Sequence, residues 1–113
     1  MKAETLKGHL DGMLLAVLEA EPRHGYAIME ELRAGSGGRF DLPTGTVYPA
    51  LHRLERAGLV EASWSEGSGR RRRLYQLTPA GRRALDTERS TWRDFSAAVT
   101  ALLRPASPAA SPS

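Results

Sequence analysis

Apolar residues open the chain at spacings of three and four. Leu6, Leu10, Met13, Leu14, Val17 and Leu18 fall on one face of a helix. Glu21-Pro22 is expected to close that helix, because proline disfavours helical geometry in the residue before it. A second helix is predicted from residue 24 or 25 to 34, with Tyr26, Ile28, Met29 and Leu32 as its apolar content. The glycine-rich residues 35–38 stop it and read as a flexible connection. No Gly-Lys-Ser/Thr follows them, so they are not a phosphate cradle.

A third helix is predicted to start near Pro43-Thr44. Proline suits a first helical turn, and Thr44 could instead cap a helix that begins later. Val47, Leu51 and Leu54 form its inward stripe at i, i+4 and i+7, and Gly58 ends it, with Leu59 and Val60 as an apolar contact beyond. Pro49 must sit within the first turns, since farther inside it would cost a backbone hydrogen bond. The period then changes. Residues 59–64 and 73–77 are short strand candidates around a Ser-Glu-Gly-Ser-Gly-Arg turn, a β-hairpin with four arginines beginning at its tip. Thr78-Pro79 opens a last helix as N-cap and first helical residue. Leu85, Trp92 and Val99 are seven apart, as are Phe95 and Leu102, a heptad-like seam interrupted by Glu88. From Pro105 the composition collapses to Pro, Ala and Ser, which predicts a disordered tail.

This order predicts an α+β, mainly α architecture: a winged helix-turn-helix of three helices plus a two-stranded wing, followed by a long helix. The expected division is residues 1–78 for the winged unit, 79–104 for a dimerisation helix and 105–113 for the tail. A helix of that length spans about 37 Å at 1.5 Å per residue, more than so small a domain can cover. Its distal half is therefore expected to meet a second copy. The expected dimer contacts are Leu85, Trp92, Phe95, Val99 and Leu102, with Leu10 and Met13 of the first helix.

Charge sharpens the picture. The 113 residues carry a net charge of +3, distributed as −2 over residues 1–38, +5 over 39–83 and zero over 84–113. Positive charge confined to the middle of the chain suits an element that binds a polyanion. With Val47, Leu51 and Leu54 inward, Thr44, Thr46, Pro49, His52, Arg53 and Arg56 lie on or near the outer face of the third helix, and Tyr48 falls between the two sets. Such a face fits the major groove, and Arg53 is the candidate for a guanine contact, against the plainer role for Arg53 or Arg56 of pairing with Glu55 or another surface acid. Arg70, Arg71 and Arg72 of the wing would reach phosphates or a narrow minor groove. Double-stranded DNA is thus the expected partner, bound by a homodimer on two half-sites.

Other classes find little support. The chain has no cysteine, which excludes disulfides and thiolate metal sites. Its three histidines, His9, His24 and His52, are far apart, and His52 with Glu55 alone makes a poor metal site. No catalytic motif is present, so neither enzyme activity nor a cofactor is expected. There is no signal-like start and no apolar run long enough for a membrane, which makes a cytoplasmic protein the expectation. The remaining alternative is a winged helix used as a protein-interaction module without DNA binding. The arginine-rich wing argues against it, since interface cores are depleted in charge.

The motifs resemble the PadR family of transcriptional regulators. Leu14-Leu15 followed by His24-Gly25-Tyr26-Ala27-Ile28 is one match. The run from Gly45-Thr46-Val47-Tyr48-Pro49-Ala50-Leu51 through Arg53-Leu54-Glu55 to Gly58-Leu59-Val60 is the most specific. Gly69-Arg70 and Arg73-Leu74-Tyr75-Gln76-Leu77-Thr78, with Gly81 beyond, match less distinctively. The short C-terminal part looks like the family's smaller subgroup. The resemblance implies a winged domain dimerised through its last helix, acting on an inverted-repeat operator, usually as a repressor. It also implies that Tyr26, Thr44, Thr46, Tyr48 and Pro49 lie at or near DNA. Family members can be released from DNA by small aromatic molecules. Trp92 falls where some relatives stack a flat ligand, and the plainer role for it is a dimer-core aromatic.

Overall fold

The structure is a computed structural model that describes residue 6, residues 8–67 and residues 69–106. In chain order it comprises α1 (Leu10–Val17), β1 (Arg23–His24), α2 (Gly25–Gly35), α3 (Thr44–Arg56), β2 (Val60–Gly67), β3 (Arg70–Leu77) and α4 (Pro79–Leu103). The sheet is antiparallel, in the order β1-β3-β2. One apolar core joins Leu14, Leu15 and Leu18 before α2 to Ile28 and Leu32 of α2, and to Val47, Leu51 and Leu54 of α3. Val60, Tyr75 and Leu77 close it from the sheet, and Leu85 from α4.

α1 is shorter than the apolar pattern suggests at both ends. Leu6 is buried, but in a preceding 3₁₀ turn. The helix stops at Val17, four residues before Glu21, and proline is not the cause. The amides of Leu18 and Glu19 fall back on Leu15 and Ala16, and Arg23 Nε donates to the Val17 carbonyl at 2.9 Å. Carbonyls otherwise left open at a helix end are thereby satisfied. The glycine-rich turn after α2 is ordered by hydrogen bonds. The Gly38 amide donates to Arg33 O at 2.8 Å, Ser36 Oγ accepts from the Phe40 amide, and Gly37 and Gly38 take φ of 65° and 85°.

α3 begins after Pro43, so Thr44 is its first residue. It ends in a Schellman turn: the Gly58 amide donates to Glu55 O and the Leu59 amide to Leu54 O, each at 3.0 Å, with Gly58 at φ 77°. Pro49 lies in the second turn. The amide it lacks would have met the Gly45 carbonyl, and both residues face solvent, where water can take its place.

The strands run nearer the tip than the sequence suggests. β2 and β3 pair from Val60↔Leu77 out to Gly67↔Arg70. The third strand, β1, has no strand-like sequence, and the apolar pattern puts His24 at a helix start instead. Pairing Arg23↔Tyr75 and His24↔Leu74 attaches the start of α2 to the base of the wing. His24 Nδ1 lies 3.2 Å from the Arg73 carbonyl, which can only accept, so that nitrogen carries a proton.

The start of α4 is locked to the end of α3. Thr78 Oγ1 donates to Gly58 O at 2.6 Å and accepts from the Gly81 amide at 3.0 Å. Gly81 is buried so tightly that an added Cβ would collide with the Leu59 carbonyl oxygen, a backbone atom that cannot swing aside. Gly81→Ala should therefore destabilise the fold by about 1–3 kcal/mol, as overpacking does. Denaturant unfolding checks this, and an unchanged midpoint would show that the α3–α4 junction is looser than described.

Candidate nucleic-acid interface

α3 advances about 100° per residue, which sorts its side chains. Val47, Ala50, Leu51 and Leu54 point into the core. Gly45, Pro49, His52 and Arg56 form the opposite stripe, all exposed. Thr46 and Arg53 lie on the flank toward α1, while Thr44, Tyr48 and Glu55 lie on the flank toward α2 and the wing. Arg56 therefore sits in the middle of the solvent face. Helical spacing marks it as plainly as it marks His52.

Each flank is tied down. On one side Arg53 Nη2 donates to Asp11 Oδ1 of α1 at 2.6 Å. Of the acids open to it, Glu55 or another on the surface, Arg53 thus takes the second kind, on another helix 42 residues away. Glu55 instead accepts from Arg73 of the wing at 2.8 Å. Tyr48 lies over Gly25, the first residue of α2, where an added Cβ would come 2.7 Å from two ring carbons. Only a residue without a side chain fits beneath that ring. Tyr26, the next residue, is exposed.

The wing has two unlike faces, because side chains alternate along each strand. Val60↔Leu77 and Ala62↔Tyr75 belong to the core at its base, and the same face continues outward as Trp64↔Arg73 and Glu66↔Arg71. Burial pushes the Tyr75 hydroxyl above its ordinary pKa, although Arg73 acts in the opposite direction. The other face carries Ser63↔Leu74 and Ser65↔Arg72. Arg71 and Arg72 therefore point to opposite sides, whereas the sequence shows only a run of like charges. Arg71 and Arg72 are exposed; Arg70 opens β3, and its side chain lies outside what the structure describes.

α4 is half docked. Leu85, expected on the dimer seam, is only 2% exposed and belongs to this chain's own core. Arg89 makes two bonds to the Glu19 carboxylate at 2.7 and 2.8 Å, which hold that carboxyl below its ordinary pKa. Trp92 meets the edge of His9, ring centroids 5.1 Å apart, and remains 51% exposed. Leu10 and Met13 are partly buried against the core. Farther along, Phe95 is 54% and Leu102 85% exposed, and Val99 is intermediate. Of the tail expected to be disordered, residues 107–113 lie outside the described residues. Among the described residues there is no cluster of three or more potential metal ligands, and no helix is long and apolar enough to cross a membrane.

A three-helix unit with a β-wing packed beside its third helix is a winged helix-turn-helix. The sequence model of the transcriptional regulator PadR-like family matches residues 14–87. The transcriptional regulator Rv3488 of Mycobacterium tuberculosis is 40% identical over 76 residues, which cover 67% of this chain and 68% of that protein. A PadR family transcription regulator from Clostridium difficile superposes with a TM-score of 0.76 at 32% identity, covering 85% of this chain and 99% of that one. A PadR-like transcriptional regulator from Bacillus cereus gives 0.80 at 28% identity, covering 92% and 100%. The chain belongs to the PadR-like family of transcriptional regulators and has a winged-helix DNA-binding fold.

The contact between Gly25 and Tyr48 makes a testable pair. Gly25→Ala should cost about 1–3 kcal/mol of stability, because the ring must move. In a Tyr48→Ala background the extra cost should largely vanish. Additive losses in thermal unfolding would show that the two residues do not press on one another.

Proposed function

We propose that this protein is a homodimeric repressor that binds an inverted-repeat operator. The observation that carries the reading is the Glu55–Arg73 ion pair. It holds the wing beside the polar side of α3, so both can address one stretch of duplex. The outward stripe of α3, with Pro49, His52 and Arg56 flanked by Thr44, Thr46 and Tyr48, would enter the major groove. Arg53 would reach a base or phosphate by exchanging Asp11 for DNA. Tyr26 and the wing arginines Arg70, Arg71 and Arg72 would lie along the neighbouring backbone.

In this reading residues 1–78 bind DNA, and the helix of residues 79–104 dimerises through the part beyond Leu85 and Arg89, which dock on this chain's own core and Glu19. Exposed Trp92, Phe95 and Leu102 are apolar area that a second copy of α4 would remove from water, with Val99 between them. Trp92, with the Phe95 ring 5.8 Å away, also offers a surface on which a flat aromatic effector would stack, releasing the operator.

Two experiments test the reading. Replacing Arg71 and Arg72 by alanine should weaken binding to duplexes of any sequence. It should also lower the slope of log K against log salt by about 0.9 for each phosphate no longer neutralised, or about two units per chain. An unchanged slope in an anisotropy titration would remove the wing from the interface. Phe95→Glu should convert the dimer to monomer, because a carboxylate would be buried without a partner. Sedimentation that still shows a dimer at micromolar concentration would place the interface elsewhere.

A further inference from the structure

Trp64 is 54% exposed, on the outer half of the wing. It continues the stripe of β2 that contributes Val60 and Ala62 to the interior, but lies beyond the edge of the core. What covers it is charge. Arg73 is its direct cross-strand partner and Arg71 its diagonal neighbour on the same face. The guanidinium carbon of Arg71 stands 4.6 Å from the ring centroid and that of Arg73 5.3 Å. Arg73 in turn is bonded to Glu55 of α3. A continuous chain of contacts, Glu55 to Arg73 to Trp64 to Arg71, therefore runs from α3 out along the wing.

We propose that Trp64 is a positioning residue for DNA binding: its ring holds the Arg71 guanidinium at a set place relative to α3, ready for a phosphate of the duplex. The role rests on the reading above, in which the wing meets DNA. Arginine is always charged, so what the ring changes is order and not charge. A free arginine loses rotamer freedom when it binds, and that loss weakens association; a side chain already stacked has less to lose. Two like charges at one ring would repel, and the acids answer this. Glu55 engages Arg73, and Glu66 lies directly across the ladder from Arg71.

A positioning role has a signature distinct from a direct contact. In titrations of the full-length protein with a mixed-sequence duplex, Trp64→Leu should bind about two- to twelve-fold more weakly, the scale of the freedom lost on ordering one long side chain. Its salt slope should stay at the parent value, because every cation remains. Trp64→Phe keeps an aromatic face and should recover most of the affinity. Arg71→Ala should lower affinity and slope together, and Trp64→Leu added to it should cost nothing more. Because the indole lies outside the core, the thermal midpoints of the Leu and Phe variants should stay near the parent's. The proposal is overturned if the Leu variant binds like the parent, if Leu and Phe are equally weak, or if the Trp64 and Arg71 losses add, which would mean that the indole itself touches DNA. If Arg71→Ala changes neither affinity nor slope, Arg71 does not contact DNA and Trp64 has nothing to position. If the Arg71/Arg72 pair is also silent, it is the wing's place at DNA that fails.

Discussion

Burial of one stripe of α3 governs the rest of this molecule. Val47 and Leu51 are fully enclosed, and Leu54 nearly so, against α1 and the sheet. A helix gripped so firmly along one side cannot rotate, and its opposite side must face outward. The placement of His52 and Arg56 in solvent is thus a consequence of the core. Tyr48 completes the constraint. Its ring can lie between α3 and the start of α2 only because Gly25 has no side chain to obstruct it.

Charge pairing supplies geometry more than stability. An exposed ion pair contributes about 0–1 kcal/mol, so Arg53–Asp11 does little to hold the fold, and the part-buried Arg73–Glu55 pair matters more for what it positions. What they do is fix where guanidinium groups stand. Arg53 is drawn toward α1, and Arg73 ties the wing to α3. Positive charge that looks like a loose arginine run is in fact sorted between the two faces of a hairpin. Its members have different neighbours, and so different work.

α4 changes role along its length. Up to Trp92 it is part of the winged unit, anchored by Thr78, Gly81, Leu85 and the paired bonds between Arg89 and Glu19. Past that point Phe95 and Leu102 stand in water and Val99 is half-buried. The segment around α1 meets both neighbours: His9 and Glu19, which flank the helix, touch α4, and Asp11 within it touches α3.

The chain alone determined what depends on local periodicity and turn chemistry. The inward stripe of α3, the Schellman end at Gly58, the Thr78-Pro79 start of α4 and the hairpin are all encoded within a few residues of where they act. The motif matches likewise made the family legible from the run around Tyr48-Pro49. Tertiary structure decided whatever requires distant segments to meet. A two-residue strand at Arg23–His24 has no period to detect and exists only because β3 offers it a ladder. Leu85 looked like the first rung of a dimer seam, since heptad spacing cannot distinguish a partner's surface from the chain's own core. The early end of α1, the acid that holds Arg53 and the opposite facing of Arg71 and Arg72 likewise follow from through-space contacts and strand register, which no window of sequence contains.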